Sequence, residues 1–306
     1  VVLSGARRLR LGLALGSGSA RGWAHIGIIR ALAAAGIRPD VVSGCSIGAL
    51  VGAAWASGRL EALARAITAL RPLELVRFFE IDLSGRGFVD GPRLRAFLEG
   101  AIGDPAARIE RLERPFAAVA TDLESGNEIW LQEGPLLDAA WASFALPGLF
   151  PPVRRDGRWL VDGGLVNPVP VSLCRALGAE RVIAVNLNGD LVGRALGRRP
   201  ATRGEGMPRP TDALAAALRA HAPRWLARAA AEPSPSLIET VATAVNIMQD
   251  RITRSRMAGD PPDVLLSPQL SHIRLLEFHR AAEAIAEGEA CVERMAPLLE
   301  GLRAAG

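Results

Sequence analysis

The sequence predicts an α/β protein, a three-layer α/β/α sandwich with a mainly parallel central sheet, and three observations carry that expectation. The apolar run Leu11–Leu15 ends in a Gly-rich stretch and leads into a helical pattern. The same succession of strand, tight turn and helix recurs over residues 40–56. Later apolar strand candidates again alternate with helical periodicity, the pattern of a parallel sheet covered by helices. With 306 residues, 49% of them hydrophobic, the chain has enough apolar surface to bury such a core.

The elements follow in order. After the first strand comes Gly16-Ser17-Gly18-Ser19-Ala20-Arg21-Gly22, then Ile26, Ile29, Leu32 and Ala33 at helical spacing, with Gly36 as the stop. Residues 40–43 read as a second buried strand, and Gly44-Cys45-Ser46-Ile47-Gly48 turns it into an Ala-rich helix that reaches Ala56. Residues 116–123 and 128–132 read as strands joined at Ser125-Gly126-Asn127, and residues 135–144 as a helix. Asp156-Gly157 marks a turn between two short strands over residues 153–161. Residues 181–187 make another strand. Residues 189–210 are rich in Arg, Gly and Pro without apolar periodicity and are expected to form a mobile surface loop. Helices over 211–231 and 237–257, a strand at 264–267 and a closing helix over 278–303 complete the chain. The long loop forces no boundary, so residues 1–306 are read as one domain.

Composition removes several functions. All 36 basic residues are Arg, so a phosphate-loop Lys, a Schiff-base Lys and a Ser-Lys base are unavailable. Cys45, Cys174 and Cys291 lack metal-site or disulfide spacing and read as buried, reduced thiols. The Arg residues are scattered and the net charge is only +4, which argues against a nucleic-acid partner. No apolar run approaches a membrane span and no signal-peptide pattern opens the chain, so a cytoplasmic protein is expected. The start at Val1 suggests that a few native residues precede it.

Three motifs carry chemistry. Gly44-x-Ser46-x-Gly48 between strand and helix has the form of a nucleophile elbow, with small residues two places either side of a Ser on a strained turn. The loop Gly16–Gly22 fails as a dinucleotide fingerprint, because Arg21 stands at the sixth position and Asp40 precedes the second strand. It reads instead as an oxyanion loop, with the amides of Ser17, Gly18 and Ser19 turned toward a substrate carbonyl beside Ser46, or as a plain structural or phosphate-binding turn. Asp162-Gly163-Gly164 presents a carboxylate at a strand end, or is simply a turn. Among the histidines, His272 could satisfy the chain order of an ordinary Ser-acid-His triad after the strand at 264–267, but an elbow as early as residue 46 does not suit such an enzyme.

Together these motifs resemble the patatin-like phospholipase family. They share its order of Gly-rich loop ending in Arg21-Gly22, elbow at Gly44 to Gly48 and Asp-Gly-Gly at Asp162 to Gly164. Val119-Ala120-Thr121-Asp122-Leu123, Ala145-Leu146-Pro147-Gly148 and Arg256-Met257-Ala258-Gly259-Asp260-Pro261-Pro262 are similar to the bacterial RssA-type subgroup, related to the neuropathy target esterase catalytic domain. The resemblance implies a patatin-like fold and a serine hydrolase of lipid carboxylic esters, of phospholipase or lysophospholipase type. It implies a Ser46-Asp162 dyad without His, and neither metal nor organic cofactor. Ser17 and Ser19 stand where the family usually has glycines. An acyltransferase using the same acyl-enzyme, and a weakly active regulatory protein on this fold, are the alternatives. As a base, Asp162 is expected to be partly buried, which raises its pKa. Trp141, Phe144, Leu146, Leu149, Phe150 and Val153 are candidates for core or for an acyl-chain groove. Arg194, Arg198, Arg199, Arg203 and Arg209 suggest a solvated loop or a contact with anionic headgroups at a membrane surface.

Overall fold

A computed structural model describes residues 9–71, 91–103, 106–190 and 237–302. The five arginines of the expected loop, the helix expected over 211–231 and His221 lie outside the described residues.

Among the described residues eight strands form one sheet: β1 (Leu11–Leu15), β2 (Val41–Cys45), β3 (Phe116–Asp122), β4 (Glu128–Leu131), β5 (Val153–Arg155), β6 (Arg158–Asp162), β7 (Arg181–Val185) and β8 (Val264–Leu266). β3, β2, β1, β7 and β8 are neighbours in that order and parallel, while β4, β5 and β6 run antiparallel to their partners. The chain thus adopts an α/β sandwich with a mixed, mostly parallel central sheet. Strand alternation sorts side chains between two cores. Leu13, Leu15, Phe116, Ala118, Ile183 and Val185 join the larger core, whereas Ala14, Val182 and Ala184 join a smaller one on the opposite face.

The larger core is covered by α1 (Ala24–Ala34), α2 (Ile47–Ala56), α3 (Leu60–Ala69), α4 (Gly91–Ile102), α5 (Leu136–Phe144) and α8 (Ala281–Arg294). α6 (Val171–Ala176) and the end of α7 (Leu237–Gly259) close the smaller one. α1 and α8 approach so closely that a Cβ at Gly27 would lie 1.9 Å from the Ile285 carbonyl oxygen. Cys45, Cys174 and Cys291 are buried, unpaired thiols.

Three departures from the sequence reading have local causes. The second strand begins at Val41, with Asp40 just before it tied to Leu11 twice: its amide donates to the Leu11 carbonyl and its carboxylate takes the Leu11 amide that a strand neighbour's carbonyl would otherwise accept from. The closing helix breaks at Met295, since Pro297 supplies no N–H to continue it, and α9 (Ala296–Leu299) follows as a separate turn. α3, α4 and α6 lie in segments where no element was expected; α6 has only six residues, too few to show periodicity.

One feature of the register matters most for function. Ala118 and Val119 of β3 pair with β2 and β4, while Ala120 and Thr121 pair with β4 and β6. A strand residue has only two neighbouring strands, so β2 and β6 share one edge of β3, end to end. β2 stops with Cys45 opposite Val119, and β6 stops with Asp162 opposite Ala120. The next residue of the chain after Cys45 is Ser46, so the sheet itself delivers Ser46 and Asp162 to the same point.

Candidate active site

Ser46 occupies the turn between β2 and α2 with φ 56° and ψ −124°, a positive φ that a non-glycine residue adopts only at a cost of roughly 1–3 kcal/mol. The flanking glycines make that turn possible. A Cβ on Gly44 would come within 2.5 Å of the Ala49 Cα, and one on Gly48 within 2.2 Å of the Leu15 carbonyl oxygen. The Ser46 amide donates to the Ser143 hydroxyl at 2.9 Å, which pins the turn to α5. Its side chain projects at the N-terminus of α2, where unpaired amides and the helix dipole favour negative charge.

The Ser46 hydroxyl donates to Asp162 Oδ2 at 2.5 Å. Oδ1 accepts from the Gly164 amide at 2.7 Å, so both carboxylate oxygens are held. The Asp162 backbone is fixed from two sides: its amide donates to the Ala145 carbonyl and its carbonyl accepts from the Thr121 hydroxyl. Asp162 is 1% exposed, buried more deeply than expected, and burial pushes its pKa up to about 6 against the pull of its hydrogen bonds from Ser46 and Gly164. Gly163 allows β3 to pass close by: a Cβ there would meet the Val119 carbonyl oxygen at 2.2 Å.

The Gly-rich loop forms the facing wall. The Gly16 amide donates to the Val185 carbonyl, and its own carbonyl accepts from His25 Nε2 at 2.8 Å. His25 is wholly buried, and desolvation lowers its pKa to about 4, so the ring is neutral and serves as a strut under the loop. The Gly18 carbonyl accepts from both the Arg21 amide and Arg21 Nε, each at 3.2 Å. In a planar trans peptide the N–H points opposite the C=O, so holding the Gly18 carbonyl back toward Arg21 turns the Ser19 amide toward the site. Arg21 is itself buried, its pKa lowered to about 10 by desolvation, and its Nη2 donates to Asn246 on α7. Gly22 packs against Ile47 at the start of α2.

One expectation is corrected. The Ser17 amide donates to the Pro168 carbonyl at 2.8 Å and is not available to a substrate. The Pro168 carbonyl reaches it because the chain turns back beneath the loop just after Asp-Gly-Gly. Among the described residues the amides of Gly18 and Ser19 donate to no backbone carbonyl, which reduces the loop's expected donors from three to two.

Ser17, Gly18, Ser19, Ser46 and Asp162 line one narrow cavity, with Phe144, Leu146, Leu149, Phe150 and Leu275 among its apolar walls. A second narrow cavity, lined only by apolar and aromatic residues including Trp23, Leu50 and Leu98, lies against it. Phe144, Phe150 and Phe278 line both. Trp141 supports this wall, edge-on to Phe150, and Val153 lies in β5. His272 is elsewhere in its contacts, exposed and bonded to Glu283.

The family model for patatin-like phospholipases matches residues 13–175, from β1 through the Asp-Gly-Gly turn to α6. The chain belongs to the patatin-like phospholipase family. An uncharacterized NTE family protein of Mycobacterium tuberculosis is 35% identical over 324 residues, covering 92% of this chain and 89% of that protein. Neuropathy target esterase sws of Drosophila melanogaster is 33% identical over 183 residues, which is 58% of this chain and 13% of that protein. Patatin-like phospholipase domain-containing protein 7 of Mus musculus is 33% identical over 189 residues, again 58% of this chain and 13% of that protein. Family membership makes the chain a lipid ester hydrolase by class.

Four residues beside the family motifs escaped the sequence reading. Ser143 had a signal, as the lone polar residue in the apolar run from Ala139 to Leu146. His25 had a weaker one, a His on an apolar helix face. Asn246 and Gln249 had none: they belong to α7, outside the segment matched by the family model, and no motif marks them.

Proposed function

We propose that the chain hydrolyses the carboxylic esters of phospholipids or lysophospholipids, with Ser46 as nucleophile and Asp162 as its general base. The observation that carries this reading is the 2.5 Å hydrogen bond from Ser46 to Asp162, at a strained elbow opening onto an apolar cavity. Ionised Asp162 takes the Ser46 proton as Oγ attacks the ester carbonyl. The oxyanion that forms is stabilised by the Gly18 and Ser19 amides, and removal of one such donor costs roughly 2.7–4 kcal/mol in measured cases. Protonated Asp162 then gives its proton to the departing alkoxide, leaving the acyl group on Ser46. Water, deprotonated by Asp162, releases the fatty acid and restores the dyad.

A pKa near 6 suits both halves of the cycle. Above pH 6 the carboxylate is ionised, and its proton affinity exceeds that of an ordinary Asp by enough to make it a competent base. The acyl chain lies along Leu146, Leu149, Phe144 and Phe150, and the adjoining apolar cavity receives longer chains.

No helix among the described residues is long and apolar enough to cross a membrane. Ile247 and Met248, about half exposed on α7 next to the cavity residues Val245 and Gln249, support shallow contact with a lipid surface from the cytoplasmic side. Activity against a panel of p-nitrophenyl esters and defined phospholipids, run beside Ser46→Ala, tests the reading: loss of all ester hydrolysis in the variant with its fold intact is expected. Retained hydrolysis overturns it.

A further inference from the structure

Gln249 is 4% exposed, lies on α7, and lines the cavity beside Ser46 and Asp162. Its amide is oriented from behind. Asn188 Nδ2 donates to Gln249 Oε1 at 3.1 Å, and the Asn188 backbone is itself fixed by donation to the Asn186 side chain at 3.0 Å. With Oε1 turned to Asn188, the Nε2 group faces the other way, over Gly164. A Cβ at Gly164 would lie 2.4 Å from Gln249 Nε2 and 2.9 Å from Asp162 Oδ1, so the second glycine of Asp-Gly-Gly leaves room for this amide next to the carboxylate. Among the described residues no bond from Nε2 to a protein acceptor accompanies the one that Oε1 accepts, and Nε2 is not among the atoms buried without a partner, so this donor opens into the cavity.

The cavity has three directions. The Gly18 and Ser19 amides take the carbonyl oxygen, and the wall from Phe144 to Phe150 takes the acyl chain. The leaving oxygen must lie toward Asp162, because that carboxyl group protonates it. Gln249 Nε2 stands on this third side, together with Val245 and Leu275, which offer no hydrogen bond from their side chains.

We propose that Gln249 is a specificity-determining residue for the alcohol portion of the substrate. Its Nε2 donates to an oxygen next to the ester, such as a glycerol hydroxyl, and favours esters of polyols over simple alkyl or aryl esters. This rests on the ester-hydrolase reading above and adds to it the side of the site that reads the alcohol. No bond is made or broken by Gln249: it binds the alcohol before cleavage and releases it with the product.

Two measurements test the proposal. The first is the ratio of kcat/KM for 1-monobutyrylglycerol to that for p-nitrophenyl butyrate, in wild type, Gln249→Leu and Gln249→Glu. Loss of one hydrogen bond lowers the ratio by about tenfold in Gln249→Leu. Gln249→Glu keeps the shape and the bond from Asn188 and can still bond a hydroxyl by accepting from it, so the ratio recovers part of the loss seen in Gln249→Leu. Equal losses on both substrates in Gln249→Leu assign Gln249 a structural role and overturn the proposal.

The second measurement needs no turnover. Binding of 1-O-octylglycerol and of octyl methyl ether, neither of which has an ester, is followed by intrinsic tryptophan fluorescence, with Trp23 in the apolar cavity wall. Gln249→Leu is expected to weaken the glycerol ether by about tenfold relative to the methyl ether. Equal affinities in wild type and variant overturn the proposal even if Ser46 proves to be the nucleophile, while hydrolysis that survives Ser46→Ala overturns the dyad and leaves the binding result to judge Gln249.

Discussion

The floor and the roof of the cavity are built by different means. The floor consists of three strand ends, β1 with its Gly-rich loop, β2 with its elbow and β6 with Asp162, and its geometry is held by main-chain hydrogen bonds and sheet register. The roof is one helix, α7, whose Val245, Asn246 and Gln249 reach the site through side chains alone. The floor fixes its reactive side chains through the backbone, since each stands at or just beyond the end of a paired strand. The roof can change by single substitutions without disturbing the sheet, which makes it the natural place for substrate preference.

The largest effect separating the two regions is expected at Ser46. Ser46→Ala removes the nucleophile, and esterase activity should fall by about 10⁴-fold or more, with circular dichroism unchanged. A comparable loss from any α7 substitution with an intact fold would erase the distinction.

Next comes the backbone of the floor. Gly48→Ala drives a Cβ to 2.2 Å from the Leu15 carbonyl oxygen, a backbone atom that cannot move without shifting β1. It should cost on the order of 3 kcal/mol in urea denaturation, or prevent folding. Gly259→Ala at the end of α7, where no atom lies within 4 Å of the new Cβ, should stay within about 0.5 kcal/mol of wild type.

Asp162 shows that the floor gives up stability for chemistry. Its folded pKa of about 6 lies above the ordinary 3.8, so the folded protein holds this proton more tightly than the unfolded chain does. The ionised group therefore lowers stability above pH 6, by about 3 kcal/mol, and this cost disappears as pH falls below 4. Asp162→Asn should melt higher than wild type at pH 8, and the advantage should shrink as pH falls through 6. A variant less stable than wild type at pH 8 contradicts the burial account.

Smaller effects are expected where the roof meets the floor. Asn246→Ala frees Arg21 Nη2 while Arg21 Nε and the Arg21 amide still hold the Gly18 carbonyl, so kcat should drop by about tenfold with little change in KM. A rise in KM alone would mean that Asn246 acts on substrate and not on the loop. Leu149→Trp should shift preference among p-nitrophenyl esters toward shorter chains by a few carbons. An unchanged chain-length profile would remove Leu149 from the acyl path.

The same contrast governs what could be read in the sequence. Floor residues appear as motifs because close approach of backbone demands small residues at fixed spacing, as at Gly44 and Gly48, and those demands leave a local trace. The strands β1 and β7 were legible for a related reason, since a strand buried on both faces is a short apolar run with sharp ends, while β6, half exposed, was marked by the Asp156-Gly157 turn before it. The meeting of Ser46 and Asp162 was not legible from spacing, since it depends on β2 and β6 sharing one edge of β3. Capture of the Ser17 amide by Pro168 depends on a turn 151 residues away in the chain. The polar residues of α7 were invisible because Asn246 and Gln249 look like any solvated helix face until the floor beneath them is known.

The central claim is that an aspartate alone activates Ser46. Its most direct test is the rate of Ser46 labelling by a fluorophosphonate between pH 4.5 and 9, in wild type, Asp162→Asn and His272→Ala. In wild type and His272→Ala the rate should rise with pH to a plateau with a midpoint near 6, where Asp162 ionises. In Asp162→Asn it should be slower by about 10³-fold or more and lose that midpoint. Unchanged labelling in Asp162→Asn, or loss of the pH dependence in His272→Ala, would contradict the dyad.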